Sequence, residues 1–233
     1  MLENIYIILD KPQMGENIGA AARSMANFGL INLRIISPRD GWPNEAAYYM
    51  ATFGKDILDR AEIYENFEDA IKDLNHVFAT FGRELTHFAK PILSPRKARE
   101  KIEEIGNQNK VGIVFGCERV GLNNDQLSMC NSLLMINTAE NAKSMNLAQA
   151  VTIIAYELSQ MSEPISTPQT LASLQDFEGM INHLDQELSN KGFFQEPNKK
   201  KGMMINIRNM FNRCMFNHQE IQTLRGIIRS LSK

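Results

Sequence analysis

Three cysteines in 233 residues, Cys117, Cys130 and Cys214, are too few and too far apart to make a disulfide framework. They contain no Cys-x-x-Cys pair, which excludes the common zinc ribbons. His76, His87, His183 and His218 are scattered without ligand spacing, so no metal site is expected on histidine either. No apolar run approaches the ~20 residues of a membrane span. The opening MLENIYIILDK is too short and too acidic for a signal peptide. Internal repeats and low-complexity stretches are also lacking. With 43% hydrophobic and 22% charged residues, the chain reads as a globular protein of the reducing cytoplasm, with no membrane partner.

Net charge is also slight, at −2, but it hides an asymmetry. Residues 197–233 carry Lys199, Lys200, Lys201, Arg208, Arg213, Arg225, Arg229 and Lys233 against Glu220 alone. A basic end on a slightly acidic chain points to a polyanionic partner, although a solvated helical face explains any one of these charges equally well.

What is present is an alternation of strands and helices. Ile5–Leu9, Leu33–Ile36, His76–Thr80, Val111–Phe115 and Leu133–Ile136 are short apolar runs rich in β-branched residues, as in strands buried on both faces. Between and after them, helices are predicted over Ala46–Phe53, Phe67–Leu74, Arg96–Ile105, a short stretch from Asp125, and Asn146–Met161. A further small-residue helix is expected after Asn17, with Asn17 as its N-cap and Gly29 as its stop. This pattern predicts an α/β domain around a largely parallel sheet over residues 1–162. Residues 163–171, rich in Pro, Ser and Thr, read as a linker. Residues 172–233 are helical in pattern, with segments over 172–191, 203–213 and 218–231. In that last part Ile205, Met210, Phe211, Leu224 and Ile228 are expected to face a core, leaving Lys200, Arg208, Arg213 and Arg225 outward.

Three polar corners stand at strand ends or helix starts: NIGAAAR (Asn17–Arg23), FGCERVGL (Phe115–Leu122) and SMNLA (Ser144–Ala148). Singly, each is an ordinary cap or turn. In this order and spacing they resemble the three motifs of the SPOUT methyltransferases, in the SpoU or TrmH branch of ribose 2′-O-methyltransferases, with no required position missing. The stretch GMMINIRNMFNRCMFNHQEIQTLRGII resembles the helical extension of the bacterial TrmJ enzymes, so the likeness spans nearly the whole chain.

The resemblance implies a trefoil-knotted α/β domain, a homodimer, and S-adenosylmethionine as cofactor. It also implies methylation of the ribose of nucleotide 32, cytidine or uridine, in the tRNA anticodon loop. Thr80, Phe81, Gly82, Gly116, Ile136, Lys143, Ser144 and Met145 would hold the cofactor, largely through backbone groups. Arg23, Asn17, Ser144, Glu118 and Asn146 would form the catalytic set. Arginine is effectively always protonated, so the physical preference is that Arg23 clamps a phosphate and stabilises the forming alkoxide. Asn17 and Ser144 would orient the hydroxyl or Arg23, and Glu118 would fix Arg23 or hold Asn146. RNA contacts are expected from Arg83 and from the four outward cations of the basic end. One departure stands out: the TrmJ pattern has two arginines one residue apart after the Thr80 strand, and here the second position is Leu85, with Lys90 or Arg96 as the compensating cations. Two other readings are compatible with these residues: an inert tRNA-binding scaffold, and ribose methylation at a different RNA site.

Overall fold

The structure is a computed structural model that describes residues 2–82, 90–139, 145–162 and 169–232. In chain order the elements are β1 (Ile5–Asp10), α1 (Gly15–Asn27), β2 (Asn32–Ile36), α2 (Glu45–Ala51), a 3-10 turn (Thr52–Gly54), α3 (Lys55–Asp59) and β3 (Glu62–Tyr64). There follow α4 (Phe67–Ile71), β4 (His76–Thr80), β5 (Ile92–Leu93), α5 (Pro95–Ile105), β6 (Val111–Phe115), α6 (Asn124–Met129), β7 (Ser132–Leu134) and α7 (Leu147–Ser159). Three helices complete the chain: α8 (Leu174–Asn190), α9 (Pro197–Phe211) and α10 (His218–Leu231).

Seven strands form one sheet in the order β3-β2-β1-β6-β4-β7-β5, and every recorded pairing is parallel. The alternation of side chains along each strand divides the core into two layers. Ile5, Ile7 and Leu9 of β1, with Val111, Ile113 and Phe115 of β6, meet the buried stripes of α1, α5 and α7. Ile8 and Val114 point the other way, toward α4 and α6. A strand buried on both faces has no polar side, which is why VGIVF reads as a continuous apolar run.

Helix α1 begins at Gly15, after Met14, three residues earlier than its sequence suggests. Asn17 therefore lies in the first turn, its side chain is not a cap, and it is available for something else. The helix lies very close to α2: a side chain on Gly19 would put its Cβ 2.0 Å from the carbonyl oxygen of Ala47. This close approach accounts for the glycine in the NIGAAAR motif. The edge strands β3 and β5, of three and two residues, and the short α3 carry too little periodicity to be read from sequence. Helix α9 also starts earlier than its pattern suggests, at Pro197 in the favoured first position.

The C-terminal helices pack among themselves around Phe177, Met180, Ile181 and Ile221, with Phe211, Leu224 and Ile228 against them. They are also joined to the sheet domain. Leu174 is buried in the second core layer, and its N–H donates to the Leu74 carbonyl at 2.8 Å. No helix among the described residues is long and apolar enough to cross a membrane.

Candidate active site

Because all the strands run parallel, the loops that follow β1, β6, β4 and β7 emerge along one edge of the sheet. Strand order reverses beside β1: the chain proceeds from β1 to β2 and β3 on one side, and β6 lies on the other. Crevices at such a point, outside the carboxyl ends of strands, are where open α/β sheets hold ligands. One residue from each polar corner meets the others there: Asn17, Glu118 and Asn146.

The turn after β6 is tightly made. The Gly121 N–H donates to the Cys117 carbonyl at 2.7 Å, with Gly121 at φ +65°. The buried Leu122 and the capping box of Asn123 and Gln126 then start α6. Gln126 Nε2 reaches across to Asp10 Oδ2 at the end of β1, 2.8 Å away. Burial raises the pKa of the Asp10 carboxyl, and the Gln126 hydrogen bond opposes the rise. The turn carrying Glu118 is thus pinned to the two strands beside it.

From Glu118 a chain of hydrogen bonds crosses the site. Asn146 is the N-cap of α7, and its Oδ1 accepts the N–H groups of Ala148 at 2.9 Å and Gln149 at 3.3 Å. That commits the oxygen, so Asn146 Nδ2 faces away from the helix and donates to Asn17 Oδ1 at 2.9 Å. Asn17 Nδ2 must then find an acceptor, and donates to Glu118 Oε1 at 2.9 Å. Glu118 Oε2 accepts the backbone N–H of Gln13 at 3.0 Å. A helix N-cap at one end and an acceptor-only carboxylate at the other orient both amides. Each amide nitrogen keeps a second hydrogen that no partner takes among the described residues.

The structure therefore brings together Asn17, Glu118 and Asn146, residues up to 129 positions apart. It does not bring Arg23 to Glu118, one of the partners considered for that carboxylate. Six residues along a helix is ~9 Å of rise and about a third of a turn off the Asn17 face. Arg23 is exposed, and its guanidinium lies 5.7 Å from the centre of the Phe53 ring. Ser144, Lys143 and Arg83 lie outside the described residues. Gln13, whose contact is through its backbone, carries no sequence signal at all.

Beside this chain, the ends of β6, β4 and β7 are adjacent. Thr80 Oγ1 donates to the Val114 carbonyl at 2.9 Å, and the Phe81 N–H donates to the Leu134 carbonyl at 3.1 Å. Gly82 is exposed, and Gly116, Ile136 and Met145 are half-buried. A Cβ on Gly116 would stand 2.5 Å from the Leu122 nitrogen, so only glycine leaves the backbone bare at this strand end. Among the described residues, the surface these positions offer is one of bare peptide groups, the Thr80 hydroxyl and apolar side chains.

The basic end differs from expectation in part. Arg208 does not face outward: it is half-buried, donating to Glu178 Oε2 at 2.7 Å and to Ser128 Oγ at 3.4 Å. Lys200 is paired with Asp185 at 2.9 Å. Met210, expected in a core, is 51% exposed. Helix α9 turns Arg208 toward Glu178 of α8 and Ser128 of α6, and Asn212 at its end donates to the Ser128 carbonyl at 3.2 Å. Arg213 is exposed and Arg225 half-buried, both without a carboxylate partner among the described residues. Lys90 cannot stand in for the missing arginine. It is buried, and its ammonium donates to the carbonyls of Leu127, Ser128 and Cys130 at the end of α6. Burial lowers its pKa to about 8. Arg96 is spent on a surface pair with Glu100.

Residues 4–156 match the SpoU rRNA Methylase family, and residues 175–233 match the tRNA methyltransferase TrmJ, C-terminal domain. The tRNA (cytidine/uridine-2′-O-)-methyltransferase TrmJ of Sodalis glossinidius is 33% identical over 239 residues, covering 99% of this chain and 92% of that protein. The crystal structure of TrmJ from Z. mobilis ZM4 superposes with a TM-score of 0.88 at 37% identity, covering 98% of this chain and 99% of that one. The SpoU methyltransferase AviRb from Streptomyces viridochromogenes, solved with the cofactor AdoMet, shares the fold at 18% identity. Its TM-score is 0.51, over 69% of this chain and 58% of that one.

Proposed function

The chain belongs to the SpoU methylase family, and from that premise we propose that it transfers a methyl group from S-adenosylmethionine to a ribose 2′-oxygen of tRNA. The target is nucleotide 32 of the anticodon loop, cytidine or uridine, and the enzyme works as a homodimer in the cytoplasm. The names of the full-length relatives and the match of residues 175–233 support tRNA as substrate. The observation that carries the reading is the oriented chain from Glu118 through Asn17 to Asn146, set beside a strand edge of peptide groups and apolar side chains.

That edge fits the cofactor. A purine and a sulfonium call for apolar walls and peptide hydrogen-bonding groups rather than for a cationic cradle. Thr80, Phe81, Gly82, Gly116, Ile136 and Met145 offer those walls and groups. When bound, the cofactor supplies an electrophilic methyl on sulfur, which needs an oxygen nucleophile and no metal.

The remaining work falls to the protein. A ribose hydroxyl attacks well only if the charge forming on its oxygen is stabilised and its position held. The unspent N–H groups of Asn17 and Asn146 are fixed donors for oxygen atoms of the substrate. Glu118 holds those donors in place through one hydrogen bond to each of its oxygens. The proton lost by the ribose hydroxyl as its oxygen is methylated passes to solvent, to which the Asn17–Asn146 bond is open. Arg23 provides a permanent cation for the neighbouring phosphate and the developing alkoxide. Arg213 and Arg225 supply phosphate contacts away from the reacting atoms, which add affinity without sequence information.

The test is mass spectrometry of tRNA nucleosides, located by fragment, from cells with and without the gene. Loss of a 2′-O-methyl group at position 32 is the expected result. Loss at another position would move the target, and no loss at all, together with no calorimetric heat from S-adenosylmethionine, would leave an inert scaffold.

A further inference from the structure

Arg23 has to present its guanidinium to a substrate, yet it stands on an exposed stretch of α1 at the end of a long, flexible side chain. Among the described residues no carboxylate pairs with it, and both oxygens of Glu118 are engaged elsewhere. Its one recorded side-chain neighbour is the ring of Phe53, 5.7 Å from the guanidinium carbon. We propose that Phe53 is a positioning residue for Arg23, holding the guanidinium against its ring so that the N–H groups remain free for the substrate. The proposal rests on the reading that Arg23 acts on the substrate.

The chemistry of the pair suits that task. A carboxylate would fix an arginine by occupying its donors and cancelling its charge. An aromatic face attracts the cation through the ring quadrupole, restrains its plane and uses none of its five N–H groups. The guanidinium is then held in place with its whole hydrogen-bonding edge available.

The backbone around Phe53 is built for this placement and not for core packing. Phe53 is 59% exposed and belongs to no buried cluster, so the fold gains little from a large apolar side chain there. The residue before it, Thr52, has φ +50°, a left-handed conformation that is uncommon and costly for a β-branched side chain. The residue after it, Gly54, lies directly on α1: a Cβ would meet the Ala22 carbonyl carbon and oxygen at 2.8 Å and the Arg23 nitrogen at 2.9 Å. The 3-10 turn is thus seated on the backbone of Arg23 itself, with the Phe53 ring beside the guanidinium.

The experiment compares Phe53→Leu and Phe53→Tyr in the otherwise intact chain, and Phe53→Leu in an Arg23→Ala background. Readouts are steady-state kcat and KM for tRNA, S-adenosylmethionine affinity by calorimetry, and Tm. A cation–π contact at an exposed site corresponds to a change of about two- to fivefold. Phe53→Leu should therefore lower kcat about two- to fivefold with KM, cofactor affinity and Tm unchanged. Phe53→Tyr should restore kcat, and Phe53→Leu should have no further effect once Arg23 is alanine. The proposal is overturned if Phe53→Leu leaves kcat unchanged, if it lowers kcat equally with and without Arg23, or if its effect is on KM, which would make the ring an RNA contact. Should Arg23→Ala alone retain full activity, the reading of Arg23 is at fault. Should Arg23→Ala abolish transfer while Phe53→Leu is silent, only the role of Phe53 is.

Discussion

Replacing Glu118 with glutamine tests the logic of the site more sharply than a deletion would, because size and shape are conserved. In the native arrangement the two carboxylate oxygens face two donors, Gln13 N–H at 3.0 Å and Asn17 Nδ2 at 2.9 Å. A glutamine offers one oxygen and one NH2 group, so one donor must face another. Turning the Asn17 amide over does not relieve the conflict, since Asn17 Oδ1 is needed by Asn146 Nδ2. Turning Asn146 as well would point its NH2 group at the first N–H groups of α7 and cost the helix its cap. Hydrogen bonds to a charged group contribute about 1.5–3 kcal/mol, and a stranded donor costs a similar amount. At about 2–4 °C per kcal/mol for a chain of this size, Tm should fall by about 3–12 °C. The productive arrangement would lie above the relaxed one by up to the same energy, so methyl transfer should slow by about 10- to 150-fold. Differential scanning calorimetry and a tritiated methyl-transfer assay measure the two effects, with Cys117→Ser as a neighbouring control that should behave like wild type. A Glu118→Gln protein with unchanged Tm and rate would refute the claim that an acceptor-only group orients the chain.

Arg23→Ala should reduce methyl transfer by about 10²–10³, the usual cost of losing one placed electrostatic donor, with S-adenosylmethionine affinity nearly unchanged by calorimetry. Replacing both Arg213 and Arg225 with alanine should weaken tRNA binding and flatten the plot of log affinity against log salt by a slope of about 1–2, read by filter binding at several salt concentrations. The acid limit of stability should depend on Asp73. Burial alone would raise its pKa, but hydrogen bonds from Arg34 and Lys110 prevail and hold it at about 2. A depressed carboxylate contributes stability that is full above its ordinary pKa of 3.8 and is lost as pH falls toward 2. The shift sets a ceiling of about 2.5 kcal/mol. With Asp73 39% exposed, screening reduces the contribution to about 1 kcal/mol. In urea titrations Asp73→Asn should be less stable than wild type at pH 5, and the gap should narrow between pH 4 and pH 2.

Much of this protein was decided locally and could be read from the chain. His76–Thr80 and Val111–Phe115 are strands with the expected bounds, and His218–Leu231 is the expected helix, opened by Asn217 and Glu220 in a capping box. Each carries its own signal: a β-branched run buried on both faces, or a 3.6-residue stripe with a cap. The residue types of the three polar corners were legible for the same reason. Their use was not. Asn17 reads as a helix cap, and became instead the middle of a hydrogen-bonded chain because Glu118, 101 residues away, offers a carboxylate that only tertiary folding delivers. Arg208 reads as a surface cation, and turned inward because Glu178 and the end of α6 offered partners that periodicity cannot register. Lys90, a candidate for the solvent side, is buried at three carbonyls for the same kind of reason. Hydrophobic spacing determines which face of an element is buried. Where a charge or an amide ends up depends on which distant group can satisfy it, since an unsatisfied buried polar group costs more than a slip in pattern.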